Sequence, residues 1–454
     1  MTAYVPVLAL GAALVGLIII YRPPVAAMIF ALSAPAGLIQ LPGGVEVVVL
    51  MAGMLIFVAM VDRLQRGLLP LPRDFPALVA VVWSVGVVVS VLNGPNLGKP
   101  VIFGAYQIIA ALTALCWAEY AGRPREAPRL LIAFLLGAIG VALTGPLMSQ
   151  GGVEAAYGGA VVTGRPQGIF GQPNEYGLYC MLIFVFGLGL IMLTSSVIRL
   201  LAVVAVGIAG VGMLMSLSRG AWLGAVAGVV VLAVLIPQIR RLLAWVAGAG
   251  VLLAVVSTVS PVQIPFVSVI VARALTITEE GSNPYDLRPY YRAEGWREFQ
   301  AKPIFGQGPN TFPELSSRID SIARPLGAEH PHSFLLAVGT EQGVVGLLAL
   351  GGFALAVVLA ARTAHHPLVV AYRADKGRQP GQPRHLPPLG SAVVMASAAA
   401  LAALMVEGFA DYPLRNALSR TTVWLMVGWA LAGQRLLTSR QTTPTRVSAP
   451  VPVA

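Results

Sequence analysis

The chain has 454 residues, of which 57% are hydrophobic and only 11% charged, with a mean hydropathy of +0.80. A soluble domain carries about 25% charged residues, so the composition excludes an ordinary soluble enzyme. The formal net charge of +11 would suit a nucleic-acid partner, but its distribution along the chain points to a membrane instead, with no nucleic acid.

Continuous apolar runs with few charges recur along the chain. They lie near 4–20, 24–40, 44–61, 76–92, 101–120, 129–148, 174–193, 197–215, 220–236, 242–260, 333–361, 390–410 and 419–434. A helix needs about 20 residues to cross the hydrocarbon core, and lipid offers the backbone no hydrogen-bond partners, so such runs must be helical. They are continuous rather than alternating, which excludes a β-barrel. The expected fold is an all-α polytopic membrane protein. It is a bundle of about 12–13 transmembrane helices in a single integral membrane domain over 1–454. Arg22-Pro23-Pro24 leaves the first two runs short, so residues 1–40 make one crossing or two. The first residues, Met1-Thr2-Ala3-Tyr4, hold no base before the first apolar run, so no cleavable signal peptide is expected.

The charges divide by side. Segments 21–24, 62–75, 119–129, 194–199, 237–241, 362–389 and the tail after 434 hold 18 Lys/Arg and 5 Asp/Glu, a balance of +13. The remaining segments hold 12 Lys/Arg and 14 Asp/Glu, a balance of −2. Basic loops stay in the cytoplasm. This predicts a long outward loop at about 261–332, a basic cytoplasmic connector at 362–389, disordered by its Arg, Gly and Pro content, and a cytoplasmic tail at 436–454. Contact of the basic segments with membrane lipids is expected. Cys116 and Cys180 fall inside apolar runs and read as buried, inert thiols. No metal-ligand spacing of Cys or His is present, and no Walker-type phosphate loop. No metal and no cofactor are therefore expected.

Four outward segments hold polar residues that lipid does not explain. In the first, Gly164-Arg165-Pro166-Gln167-Gly168 leads to Gly171-Gln172-Pro173-Asn174-Glu175, a connecting loop and helix cap that also puts Arg165 near a helix start suited to anions. In the second, Ser218-Arg219-Gly220-Ala221-Trp222 is a hairpin so tight that Arg219 either snorkels beside a Trp anchor or faces a cavity in the bundle. In the third, Arg288, Arg292 and Trp296 recur every four residues and share a helix face, which also fits an interfacial helix. In the fourth, Glu329-His330-Pro331-His332-Ser333 is followed by Glu341-Gln342-Gly343, and His332 opens an apolar run at the outer surface.

Arginines bind phosphate through planar, bidentate donors and stay charged. A histidine can take a proton from a hydroxyl. Several arginines and a histidine on one membrane face suggest a phosphorylated lipid donor and a hydroxyl acceptor.

Taken together, Gly171-x-Pro173-Asn174, Ser218-Arg219-Gly220, Arg292-x-x-x-Trp296, Pro303-x-x-Gly306-x-Gly308, His332-Ser333-Phe334-Leu335 and Glu341-x-Gly343 resemble the O-antigen ligase and Wzy-type polymerase superfamily. The resemblance covers roughly residues 160–350. It implies a GT-C-like membrane glycosyltransferase of the bacterial inner membrane, with its active site facing the periplasm. Such enzymes take an undecaprenyl-diphosphate-linked glycan and pass it to lipid A–core, to a growing polysaccharide or to protein, without metal or nucleotide. By the match, His332 takes the catalytic histidine position, and Arg165, Arg219 and Arg292 take diphosphate-contacting positions, with Arg288 as a fourth. The 261–332 loop is then the periplasmic catalytic loop, and attack opposite the leaving group would invert the anomeric centre. His330 and Glu341 are secondary candidates. Two departures stand out: Ser333 replaces an asparagine common in the family, and His330 supplies a second imidazole. Ligase, polymerase and protein O-oligosaccharyltransferase stay open. A transporter or flippase of polysaccharide precursors is a rival of another class, although no inverted repeat is visible. A scaffold protein would need no arginine–histidine set.

Overall fold

The computed structural model describes residues 21–41, 45–148, 155–157, 160–162, 165–236, 287–322, 329–379, 382 and 384–441, with isolated positions 240, 248, 252 and 270. The expected spans 4–20 and 242–260, most of 261–286 and the tail beyond 441 lie outside the described residues.

The described chain is helical apart from a hairpin of two three-residue strands, β1 (Ala155–Tyr157) and β2 (Ala160–Val162), and an isolated bridge between Gln40 and Glu46. The helices in order are α1 (Pro23–Leu32), α2 (Val47–Gln65), α3 (Phe75–Asn93), α4 (Gly98–Ala121), α5 (Ala127–Leu147), α6 (Pro173–Leu193), α7 (Ser196–Met215) and α8 (Arg219–Leu235). They continue with α9 (Arg288–Ala301), α10 (Phe312–Ser316), α11 (Phe334–Lys376), α12 (Leu389–Glu407) and α13 (Ala417–Gln441). Among the described residues, eight are long and apolar enough to cross a membrane: α2 to α7, α11 and α12. The protein is a polytopic all-α membrane protein.

Three expected segments differ in detail. The run at 24–40 forms only the ten-residue α1, which ends where Ser33 and a short 3-10 turn at Ala34–Ala36 divert the chain, too short to cross. The run at 220–236 is the 17-residue α8, just under a full crossing. The connector 362–389 is helical as far as Lys376, because α11 continues through it.

Helix starts follow local chemistry. Asp74 caps α3 by accepting from the Ala77 N–H at 3.1 Å, with Pro76 in the first turn, and Ser218 caps α8 through the Ala221 N–H. Helices α6 and α12 are buried on nearly every side, as expected of helices apolar all round. The alanine-rich α12 lets its neighbours approach closely, as small residues do in membrane bundles. Beside this core, edge-to-face pairs join Trp83 to Trp424 at 5.5 Å and Trp117 to Trp429 at 5.4 Å.

The two ends of the bundle differ. At one end, Glu119 of α4 accepts from Arg63 at 3.0 Å and Arg66 at 2.9 Å of α2, and lies 3.4 Å from Arg435 of α13, while Asp62 pairs with Arg123 at 2.9 Å. These residues come from three of the basic segments grouped by the charge partition. The opposite end gathers the starts of α6, α8, α9 and α11 and the connection from α12 to α13.

That second end is locked by an interlock between the Pro303–Gly308 turn and α11. Gln307 and Gly308 donate backbone N–H groups to the Thr340 and Glu341 carbonyls at 2.8 and 3.0 Å, and Val344 donates to the Pro303 carbonyl at 2.8 Å. Helix α11 bends at Gly343, whose φ of 64° breaks the helix. A Cβ at Gly343 would stand 2.3 Å from the Ile304 carbonyl oxygen, and one at Gly306 (φ 72°) 2.4 Å from the Glu341 carbonyl carbon. Both positions need glycine for conformation and for space. Gly343→Ala is therefore expected to cost on the order of 3 kcal/mol. Thermal unfolding of the purified protein checks this; an unchanged midpoint would show that the bend is not required.

Candidate active site

The site forms where five separated stretches meet. Helix α9 is fixed first. Its buried Glu294 accepts from Arg297 at 2.7 Å and from the Ile322 N–H at 3.0 Å. Glu298 accepts from Gln307 at 2.7 Å, and Thr340 of α11 donates to the Gly295 carbonyl at 3.0 Å. Burial pushes the Glu298 carboxyl above its ordinary range against the pull of Arg318. Packing α9 on α11 sets Tyr291 against His332, with the rings stacked at 5.6 Å and 21°. Trp296, on the expected shared face, instead points outward and is exposed.

The His330-Pro331-His332 segment turns back on itself with His332 at φ 49°. The His332 backbone N–H donates to His330 Nδ1 at 3.2 Å, and the two rings lie 4.1 Å apart. Both imidazoles face Asp411, in the turn between α12 and α13. His330 Nε2 is 3.6 Å and His332 Nδ1 3.5 Å from Asp411 Oδ1. His330 is buried, while the His332 side chain is 24% exposed. Burial, with Arg288 and His332 nearby, pushes His330 down to about 4 against the opposing pull of Asp411. Burial would raise Asp411, but the two facing imidazoles and the Tyr412 N–H outweigh it and hold it down at about 2. Asp411 is thus an ionised acceptor facing two rings. His330 already accepts at Nδ1, so its Nε2 carries the proton. An Nδ1–H of His332 directed at Asp411 leaves Nε2 of His332 as the basic nitrogen.

Next to Asp411 lies a cavity of about 190 Å³ lined by Arg165, Arg219, Arg288, Asn174, Ser218, Glu407 and Asp411. Arg165 arrives from the loop before α6 and donates to the Ser216 carbonyl through Nε at 2.8 Å and to Asn174 at 3.0 Å. Arg219 is the first residue of α8, directly after its Ser218 cap, and Arg288 is the first of α9. Two guanidiniums therefore stand at helix N-termini, the ends that favour anions. Arg292 sits elsewhere. It donates to the His332 carbonyl at 3.4 Å and to the Phe409 carbonyl at 3.1 Å, tying the histidine segment to the α12–α13 turn. Of the four arginines expected to contact diphosphate, three share the cavity, and the one ranked last, Arg288, is among them.

Glu341 is buried and fully engaged. Oε2 accepts from Gln107 and Tyr412 at 3.0 Å each, and Oε1 from the Asn310 N–H at 3.0 Å. It fixes the floor beneath the histidines rather than facing the arginine cavity.

The residue that sequence reasoning missed is Asp411. Its signal was present: an acid in the short connection between two spans, on the acidic side of the charge partition. It stood outside every motif quoted. Among the described residues, His330 Nε2, His332 Nδ1 and Asp411 also lie within 4.8 Å of one another and could hold a metal ion. The spacing along the sequence concealed this because the third ligand comes from a distant turn.

A family profile described as O-antigen ligase matches residues 204–351, from within α7 to the bend region of α11. The chain carries an O-antigen ligase family domain. That domain supports the O-antigen ligase and Wzy superfamily and, in general terms, a function of the O-antigen ligase or polymerase type. The ligase-family segment contains Arg219, Arg288, Arg292, His330, His332 and Glu341, while Arg165 and Asp411 lie outside it. The chain matches no curated protein.

Proposed function

We propose that this ligase-family protein transfers or polymerises an undecaprenyl-diphosphate-linked glycan onto a hydroxyl acceptor at the periplasmic face of the inner membrane. The observation carrying this reading is the juxtaposition of three arginines around one small cavity with Asp411, which also lies 3.5 Å from His332 Nδ1. Arg165, Arg219 and Arg288 hold the diphosphate and stabilise the charge that grows on it as the bond to the sugar breaks. His332 Nε2 takes the proton of the acceptor hydroxyl, whose oxygen bonds to the anomeric carbon. The anomeric carbon–oxygen bond to diphosphate breaks, and undecaprenyl diphosphate leaves as an anion. Attack opposite the leaving group inverts the configuration. Asp411 holds the ring and stabilises the imidazolium that forms, in the manner of a catalytic triad acid. Arg292 keeps the histidine segment in place. The acceptor is lipid A–core or a growing polysaccharide.

In this account the arginines supply the positive charge that a metal would otherwise supply. Treatment with EDTA is expected to leave transfer unchanged. Loss of activity restored by Zn²⁺ would make His330, His332 and Asp411 a metal site instead. The orientation is tested with single cysteines, since Cys116 and Cys180 are buried. Tyr290→Cys is expected to react with an impermeant maleimide added from the periplasmic side, and Gln379→Cys only after the cytoplasmic side is opened. Both positions are exposed. Labelling of both from one side would overturn the assignment of the active face.

A further inference from the structure

Adjoining the histidine–aspartate cluster lies a second, larger cavity, about 560 Å³ in volume. Asp411 lines the first, and Tyr412, the next residue, lines the second. His330 lies on its wall and Glu341 forms part of its floor. The volume falls within the range of about 300–1,000 Å³ found for small-molecule sites. We propose that this cavity binds a sugar unit of the acceptor, the unit whose hydroxyl is deprotonated by His332. This rests on the transferase reading given above.

The chemistry of the walls separates the two cavities. The smaller one presents three arginines against Asp411 and Glu407. The larger one presents four carboxylates, Glu46, Glu175, Glu329 and Glu341, against Lys99, Arg415 and Arg420. A diphosphate placed there would face more acids than bases. A neutral, hydroxyl-rich ring would find both acceptors and donors on these walls. Arg415 lies 3.8 Å from Glu175 and also pairs with Glu329, so this wall is a held array of both signs. Phe103, Tyr106 and Phe170 add aromatic surface for the C–H face of a pyranose.

One atom in this lining calls for a ligand. Glu46 Oε2 is buried and makes no hydrogen bond among the described residues. A buried carboxylate oxygen without a donor is costly, and a sugar hydroxyl would supply that donor. The position also fits the reaction. His330 and Tyr412, which line it, adjoin His332 and Asp411, with the two imidazole rings 4.1 Å apart, so an acceptor held there lies next to the base.

The test uses the purified full chain in detergent and cysteine protection, with no turnover required. Gln172→Cys and Lys99→Cys place thiols on two exposed parts of the larger cavity, and Leu223→Cys places one at the arginine cavity. The probes are deacylated lipid A–core oligosaccharide, a fragment of the polysaccharide, and undecaprenyl diphosphate. One of the two saccharides is expected to slow maleimide labelling several-fold at Gln172→Cys and Lys99→Cys but not at Leu223→Cys. Which saccharide protects identifies the source of the acceptor. Adding Glu46→Gln should raise the concentration needed for protection about tenfold, the order expected when a hydrogen bond to a charged group is lost. Protection of Gln172→Cys and Lys99→Cys by undecaprenyl diphosphate alone, or by none of the probes, would overturn the proposal. Failure of undecaprenyl diphosphate to protect Leu223→Cys is a separate outcome: it would count against the diphosphate assignment and leave saccharide protection to stand or fall by itself.

Discussion

Replacing His332 with alanine is expected to lower glycan transfer by about 10²–10⁴-fold, the usual contribution of a general base. The protein should still fold, because the ring is partly exposed and contributes one stack with Tyr291. Undecaprenyl diphosphate should still bind, because the arginines that hold it lie on α8, α9 and the loop before α6. The comparison with His330→Ala is informative. His330 is buried, accepts the His332 N–H and is pushed down to about 4, so it remains neutral at neutral pH and is a weak base. Its loss should disturb the placement of His332 and lower transfer less. Single-turnover rates of the three proteins with lipid-linked donor decide the matter. A His332→Ala protein with the normal rate would remove His332 as the base, and an inactive His330→Ala beside an active His332→Ala would move the role to His330.

The second large effect is expected at Arg219. Lysine keeps the positive charge but loses the planar fork that meets two phosphate oxygens together. A lost hydrogen bond to a charged group costs about 1.5–3 kcal/mol, which corresponds to roughly 10–100-fold in rate. Arg219→Lys should therefore reduce kcat/KM by that order, while Arg318→Lys, at an exposed position outside the site, should be tolerated. Equal tolerance at the two positions would mean that Arg219 merely reaches the membrane surface. Transfer assays across a donor concentration series, with detergent-solubilised protein of matched stability, measure both.

Much of the fold was legible because lipid imposes one dominant constraint. The apolar run at 174–193 has to be a helix, and the structure forms it as Pro173–Leu193. The short α1 was harder to read, because its apolar composition continues past Ser33 while Pro35 ends the regular hydrogen bonding. The connector after residue 361 was misjudged for the opposite reason. Its Arg, Gly and Pro content suggested disorder, yet α11 propagates to Lys376 from an already formed helix, and propagation costs far less than nucleation. In the candidate site, the arginines at helix starts and the two histidines stood in quoted motifs, and the structure gathers them at one end of the bundle. What the sequence could not display was pairing across distance. Asp411 is 79 positions beyond His332 and has no motif of its own. Likewise, Arg292 and Arg288 share a helix and a four-residue spacing, and only the packing of α9 against α11 turns one toward backbone carbonyls and the other toward the cavity. The glycines of the Pro303–Gly308 turn stood in the sequence only as part of the family resemblance, and their structural work is the interlock with the bend at Gly343.

The central claim is that this chain forms a glycosidic bond using a lipid diphosphate as leaving group. The most direct measurement reconstitutes the purified protein in proteoliposomes with an undecaprenyl-diphosphate-linked glycan and a hydroxyl acceptor, lipid A–core or lipid-linked polysaccharide, and no nucleotide. The account predicts a glycosylated acceptor with inverted anomeric configuration, together with stoichiometric release of undecaprenyl diphosphate. Movement of the intact lipid-linked glycan across the bilayer, with neither product formed, would contradict it and make the protein a transporter.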